Sequence, residues 1–332
     1  MNESSVEGGA TYQDRKAWLM VVGVLQIVMG AGAWLLALLT GLIAMSMSNK
    51  GMPTSSMIPG VAFYVLGGAF FIGMGIATVK ARRWARAIWH VFSVGWLFSG
   101  VIGMVGMGVL IPQMLRGMLP EGGGGPPMAA LMIPLIIMGV LASVFLIAMP
   151  LGFFLFFRSR HVQATCEALN PAPSWTDAFP GPLLGAVLWM ALLAFMFSLM
   201  PLAYGGMFPA FGVFARGFVG AGLWGLTAAA AGLSAYGLFH RRMWGWSLGV
   251  ALVVVFGTAS ILTYSTADVR EMYASMGMVE MQMEQMERMG MMTPGYMIGS
   301  SVLFMAPFLA LLAWARPSVT RPESNSESSG EI

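Results

Sequence analysis

None of the fourteen acidic residues of this 332-residue chain lies inside any of its eight long apolar stretches. Ion-coupled transporters and proton pumps normally carry Asp, Glu, Lys, Arg or His at membrane depth. Here only Arg86, His90 and Arg216 come near a stretch, each at its end. The usual groups for ion coupling and for acid–base catalysis are thus missing from the apolar interior. Cysteine is almost absent as well: Cys166 is the only one, which excludes an intrachain disulfide and argues against a thiolate metal cluster. The three histidines, His90, His161 and His240, have no second histidine or carboxylate three or four residues on, so no zinc-binding helix is written here. No nucleophile elbow, phosphate loop or dinucleotide fingerprint occurs. The GGGG at 122–125 lacks a following lysine and reads as a hinge. The chain is expected not to be an enzyme.

Charge is scarce too, at 9% of residues against roughly a quarter in soluble domains. What fills its place is apolar: 58% of residues, with a mean hydropathy of +0.77. About 20 consecutive apolar residues cross a bilayer as a helix. Stretches of that kind lie near 17–44, 58–79, 87–111, 131–157, 181–203, 213–238, 243–264 and 296–315. They are continuous and show no alternation, which excludes a membrane β-barrel. The expected fold is an all-α integral membrane protein of eight transmembrane helices.

The few charges are placed unevenly. In an eight-span arrangement twelve basic residues fall on one side: Arg15, Lys16, Lys80, Arg82, Arg83, Arg86, Arg158, Arg160, Arg241, Arg242, Arg316 and Arg321. The other side receives Lys50, Arg116, Arg216, Arg270 and Arg288. Basic residues near span ends favour the cytoplasm, so both termini are expected inside a cell membrane. The first sixteen residues contain Glu3, Glu7 and Asp14 and do not resemble a cleaved leader. Residues 1–16 and the Ser- and Glu-rich residues 317–332 read as disordered cytoplasmic tails.

An offset of 160 residues brings the chain into register with itself. Arg82-Arg83-Trp84 falls over Arg242-Met243-Trp244, Pro134 and Gly139 over Pro294 and Gly299, and Gly60 over Gly220. Two parallel four-helix repeats are therefore expected, 17–157 and 181–316, joined by a cytoplasmic linker over 158–180. Rows of small residues suggest close helix packing: Gly95, Ser99 and Gly103 in the third span, Ala33, Ala37 and Gly41 in the first, and Gly217, Ala221, Gly225, Ala229 and Gly237 in the sixth.

Two features carry candidate chemistry. The first is a Met-rich outer loop within 265–295, where Met276, Met278, Met281 and Met283 form two M-x-M pairs. Thioethers are soft, neutral donors suited to Cu(I) or Ag(I). Over this loop alone the pairs are similar to motifs of copper-handling proteins from oxidising compartments. As a helix, the same segment would put Met272, Met276, Met283 and Met286 on one apolar stripe and Glu280, Glu284 and Glu287 on another, an amphipathic lid needing no metal. The second feature is the pair of basic turns at 80–90 and 240–246. There Arg82, Arg83, Arg86, Arg241 and Arg242 could meet lipid headgroups, or serve only as topology signals. Nucleic-acid binding has no support. The leading expectation is a scaffold or accessory protein with a membrane-protein partner. The alternatives are a soft-metal accessory and an uncoupled transporter of a small neutral solute.

Overall fold

The computed structural model of the chain describes residues 12–48, 57–118, 128–275, 278 and 280–320. Eight of its helical stretches are long and apolar enough to cross a membrane, from Lys16–Ser46 to Pro294–Thr320. They form from α1 (Lys16–Ser48), α2 (Ile58–Val79), α3 (Arg83–Met118), the pair α4 (Met128–Ser143) and α5 (Met149–Arg158), α7 (Gly181–Ala203), α8 (Gly217–Phe239), α9 (Met243–Thr266) and α12 (Pro294–Thr320). Shorter helices are α6 (Arg160–Leu169), α10 (Val269–Ser275) and α11 (Glu280–Arg288). The all-α expectation needs one addition, an antiparallel hairpin of β1 (Phe208–Ala210) and β2 (Val213–Ala215). Its two-residue turn places Phe211 and Gly212 at φ of 48° and 102°, the left-handed geometry that matches strand twist. The expected start of the sixth span at 213 is therefore corrected: those residues pair as a strand, and the helix begins at Gly217.

By packing, the chain divides into two compact units. One comprises Met1–Leu35, Tyr64–Met104 and Leu135–Ala178; the other comprises Leu36–Phe63, Val105–Pro134 and Phe179–Ile332.

In the first unit Trp89 is wholly buried, with the rings of Phe153, Phe92, Phe71, Phe70 and Phe157 within 6.0 Å of its own. Gly23 and Gly30 of α1 meet Gly75 and Gly68 of α2 so closely that an added Cβ at Gly23 would lie 2.8 Å from the Gly75 carbonyl oxygen. Both pairs are seven residues apart, so one helical face carries each. These glycines, and not Gly41, let the backbones approach; Gly41 has open space around it. In α3 the close contact is likewise Gly100, whereas Gly103 makes only an ordinary van der Waals approach to the Leu146 side chain. A Cβ on Gly100 would strike the Leu146 carbonyl oxygen. Pro150 bears on that carbonyl. It has no N–H for Leu146 and its ring crowds that oxygen, and the helix relaxes through a π turn at Val144–Ala148. Gln26 is also wholly buried in this unit, and neither end of its amide has a hydrogen-bond partner among the described residues.

The linker expected over 158–180 is structured here. Residues Val162, Thr165 and Cys166 of α6 are buried, and the Asn170 amide donates to the carbonyls of Ala81 at 3.0 Å and Lys80 at 3.2 Å. The tail expected to be disordered over 1–16 is partly held as well. The Gln13 N–H donates to His161 Nδ1 at 3.2 Å and the Arg15 N–H to Thr165 Oγ1 at 3.0 Å. Residues 1–11 and 321–332 lie outside the described residues, and the last helix runs past Pro317 to Thr320 before them.

In the second unit α7 packs on α8 and α12, and α9 packs on the same two, closing a four-helix ring. Gly237 and Gly245 pack Cβ-to-Cα at 2.6 Å in the sense of an added side chain, so α8 and α9 touch at their arginine turn. At the opposite end the hairpin packs on α8 and α9.

Candidate functional site

The site lies at the hairpin end of the second unit. α7 runs through Pro201 and stops at Tyr204, and Gly205 and Gly206 reverse the chain at φ of 57° and 76°. The start of α8 comes so close that a Cβ on Gly220 would meet the carbonyl oxygens of Gly206 and Ala215. The indole N–H of Trp224 donates to the Met207 carbonyl at 2.6 Å, which fixes the lead into β1. The tip of the hairpin is tied to α9, where Thr263 Oγ1 accepts from the Gly212 N–H at 3.1 Å and donates to the Ala259 carbonyl at 2.7 Å.

These constraints enclose a cavity of about 270 Å³. Its deep wall is aromatic, with Phe197, Trp224 and Phe256 in mutual contact at 5.1 to 5.6 Å between ring centres. Five methionines line it: Met200, Met207, Met272, Met297 and Met305. A Cβ on Gly257 would overlap the Met305 thioether, so the absence of a side chain on α9 is what admits that methionine. No charged residue lines the cavity. Its serine hydroxyls are spent locally: Ser260 donates to Phe256, and Ser300 and Ser301 both donate to Met297. The exposed lining residues are Tyr204, at 39%, and Ser300 and Phe304, the latter at 48%, so the accessible side of the cavity lies between the end of α7 and α12.

Above the cavity, Met207, Met272 and Met297 form a buried cluster with Val269, against which Met292, Phe214, Tyr264 and Tyr273 pack. Burial pushes the Tyr273 phenol above its ordinary pKa, with Tyr204 and Tyr296 adding to the shift. Outside this cluster Arg270 pairs with Glu280 and, at 3.3 Å, with Glu287; bonds and charge from these carboxylates raise its pKa.

The residues singled out from sequence are distributed differently. Met283 is buried and Met278 half-buried in a turn where its N–H donates to the Tyr273 carbonyl at 3.2 Å. Met276 and the side chain of Met281 lie outside the described residues, so the four are not brought together on any face that can be described. One continuous amphipathic helix does not form: α10 ends at Ser275 and α11 begins at Glu280. Within α11 the two stripes do separate, with Met283 buried and Glu284 and Glu287 exposed.

The first basic turn faces protein. Arg83 pairs with Asp177 at 2.9 Å and approaches Glu167 at 3.9 Å, Arg82 donates to Asn170 at 3.4 Å, and Arg86 donates to the Phe157 carbonyl at 3.4 Å. In the second turn Arg241 lies over the Phe179 ring and Arg242 is exposed. Cys166 is buried, and this desolvation, with Glu167 adding to it, pushes its thiol up to about 11. Among the described residues no group of three or more His, Cys, Asp or Glu is placed to hold a metal ion.

The cavity was invisible in the sequence because its wall comes from α7, α8, α9, α10, α12 and the hairpin. Of its lining residues only Met272 stood in the 265–295 segment already marked by its methionines. Comparison with protein-family models, with curated proteins and with solved structures gave no match.

Proposed function

We propose that this is a non-enzymatic multi-pass membrane protein whose second four-helix unit binds a small, neutral, apolar molecule taken up sideways from the bilayer. The observation that carries this reading is the charge-free cavity with its accessible side between the end of α7 and α12. Apolar pockets with few polar handles are the usual form of small-molecule sites. A lining without an ionic group, and with its serine protons already spent, offers a strongly hydrated ion no counter-charge in exchange for its water. The first unit, with its aromatic core and docked linker, then serves as an anchoring and partner-facing scaffold.

The proposed topology keeps both termini in the cytoplasm, the hairpin end outside, and the halves related as parallel repeats. Support for the repeat comes from the two arginine turns, which share one backbone hydrogen-bond pattern at an offset of 160 residues. Arg241 and Arg242 are the basic residues best placed to meet headgroups, because the first turn is engaged by Asp177 and Asn170.

The reading is tested with 3-trifluoromethyl-3-phenyldiazirine, a small neutral photoprobe, on the full chain in lipid nanodiscs. Saturable labelling at Phe197, Phe256 or Phe304, lost in Met305→Trp, is the expected result. Labelling confined to lipid-facing residues and linear in probe concentration would overturn it. Flux of neutral solutes in vesicles then separates a carrier from a static binder.

A further inference from the structure

We infer that Met207, Met272 and Met297 form a soft-metal site for a monovalent ion, Ag(I) or Cu(I), at the closed end of the second unit. The three thioethers arrive from three separate elements: the lead into β1, α10 and α12. They are 6%, 4% and 8% exposed and belong to one packed cluster, with Met292 half-buried against it. All three also face the cavity, so an ion there would have protein on one side and space on the other. Their backbones are held in place. The Met207 carbonyl accepts from Trp224, the Met272 N–H donates to Asp268 at 3.2 Å, and the Met297 N–H donates to Thr293 at 3.1 Å.

The chemistry of the donor set selects the ion. Thioethers are neutral and polarisable, so they hold Cu(I) or Ag(I) and discriminate against Zn(II), Mg(II) and Ca(II), which prefer imidazole, carboxylate or water. A trio of neutral donors leaves one positive charge on the complex. The rings of Tyr264, Tyr273 and Phe214 pack on the cluster, and aromatic neighbours of this kind can stabilise such a charge. Bound there, the ion would tie the hairpin lead, α10 and α12 together and shut the cavity from that end. The site is different from the M-x-M pairs of the adjoining segment, and it does not depend on a second molecule occupying the cavity.

The test is a competitive Ag(I) titration of the full chain in detergent, with Met→Leu substitutions because that exchange conserves volume. Met272→Leu and Met297→Leu are each expected to weaken Ag(I) by about ten-fold or more, and the triple variant with Met207→Leu to abolish binding. Met278→Leu with Met281→Leu is expected to leave the affinity unchanged. Thioethers do not titrate, so affinity should be constant from about pH 5 to 8, whereas histidine, thiolate or carboxylate ligands would make it fall with acid. Ag(I) should also raise the melting temperature of the parent chain and not that of the triple variant. No Ag(I) binding by the parent, binding intact in the triple variant, or loss confined to the Met278/Met281 pair would each overturn the inference. If the triple variant fails to fold, the two single variants decide by the same readout.

Discussion

Ala81 and Arg241 hold the same left-handed backbone conformation, with φ of 51° and 53°, at the same place in two helix ends 160 residues apart. At each, the next residue's N–H reaches back five residues, Arg82 to Ala77 and Arg242 to Gly237. The left-handed residue itself bonds three back, to Thr78 and Leu238. This pair of bonds is the glycine-type helix terminus built without glycine. The following helix starts at once, with Ala85 bonding to Arg82 and Gly245 to Arg242. The strained position is held by Ala81 in the first turn and by Arg241 in the second.

That strain is removable. A Cβ in the left-handed region costs roughly 1–2 kcal/mol, less where the turn already compensates. Arg241→Gly is expected to raise the melting temperature in detergent by the equivalent of up to about 1 kcal/mol. Ala81→Val is expected to lower it, since a branched side chain fits that conformation worse and Ala81 is 3% exposed. An unchanged melting temperature in both would show that the turns carry no strain.

Close helix approach is the second target. Gly23→Ala and Gly100→Ala put a methyl group against the Gly75 and Leu146 carbonyls, and each is expected to destabilise by about 1–3 kcal/mol. Gly41→Ala meets nothing within 4 Å and should be neutral or slightly stabilising. Thermal or chemical unfolding of the three variants side by side checks the contrast.

Gln26 gives an expectation of the opposite sign. Its buried amide has no partner at either end among the described residues, which costs on the order of 1–3 kcal/mol. Gln26→Met or Gln26→Leu is expected to stabilise the chain. A loss of stability in both variants would mean that the amide is satisfied in the membrane.

The docked linker is expected to respond to alkali. Cys166 has its folded pKa raised to about 11, so the protonated thiol is the favoured form in the fold. Its contribution is complete below the ordinary thiol pKa and disappears as pH rises through that value to about 11. Maleimide labelling of Cys166 in the folded chain should be slow near neutral pH and rise steeply across this window. Asp177→Asn should speed it at every pH by releasing Arg83, with a stability change below about 1 kcal/mol because both groups are partly exposed. Labelling as fast as in urea at pH 7 would rule out a docked linker.

The Trp224 indole ties the cavity wall to the hairpin, and Trp224→Phe removes its 2.6 Å bond to the Met207 carbonyl while keeping an aromatic ring. A loss of about 0.5–1.5 kcal/mol is expected, with weaker Ag(I) binding as the Met207 backbone is freed. Equal affinity in the variant would place the metal-holding residues elsewhere.

Much of the architecture was written along the chain, because spanning a bilayer is a local demand. A helix must be long and apolar wherever it crosses, and each of the eight runs satisfies that from its own residues. The arginine turns were legible for the same reason, since charge must leave the hydrocarbon at every span end. Which small residues actually touch was not legible. Gly41 stands in a row of small residues with Ala33 and Ala37 and Gly23 stands among large ones, yet the facing helix puts a backbone against Gly23 and nothing against Gly41. The Ala-Phe-Gly-Val turn was hidden inside an apolar run, where a short strand and the start of a helix have the same composition.

Local spacing along the chain therefore determined a helical membrane protein, its spans and a methionine-rich segment. Only the tertiary structure decided which methionines pack together. Met207, Met272 and Met297 lie far apart in the chain and share no spacing; they converge because the hairpin, α10 and α12 close one end of a four-helix ring. A site assembled from distant elements is set by their packing, and periodicity along a single element carries no record of it.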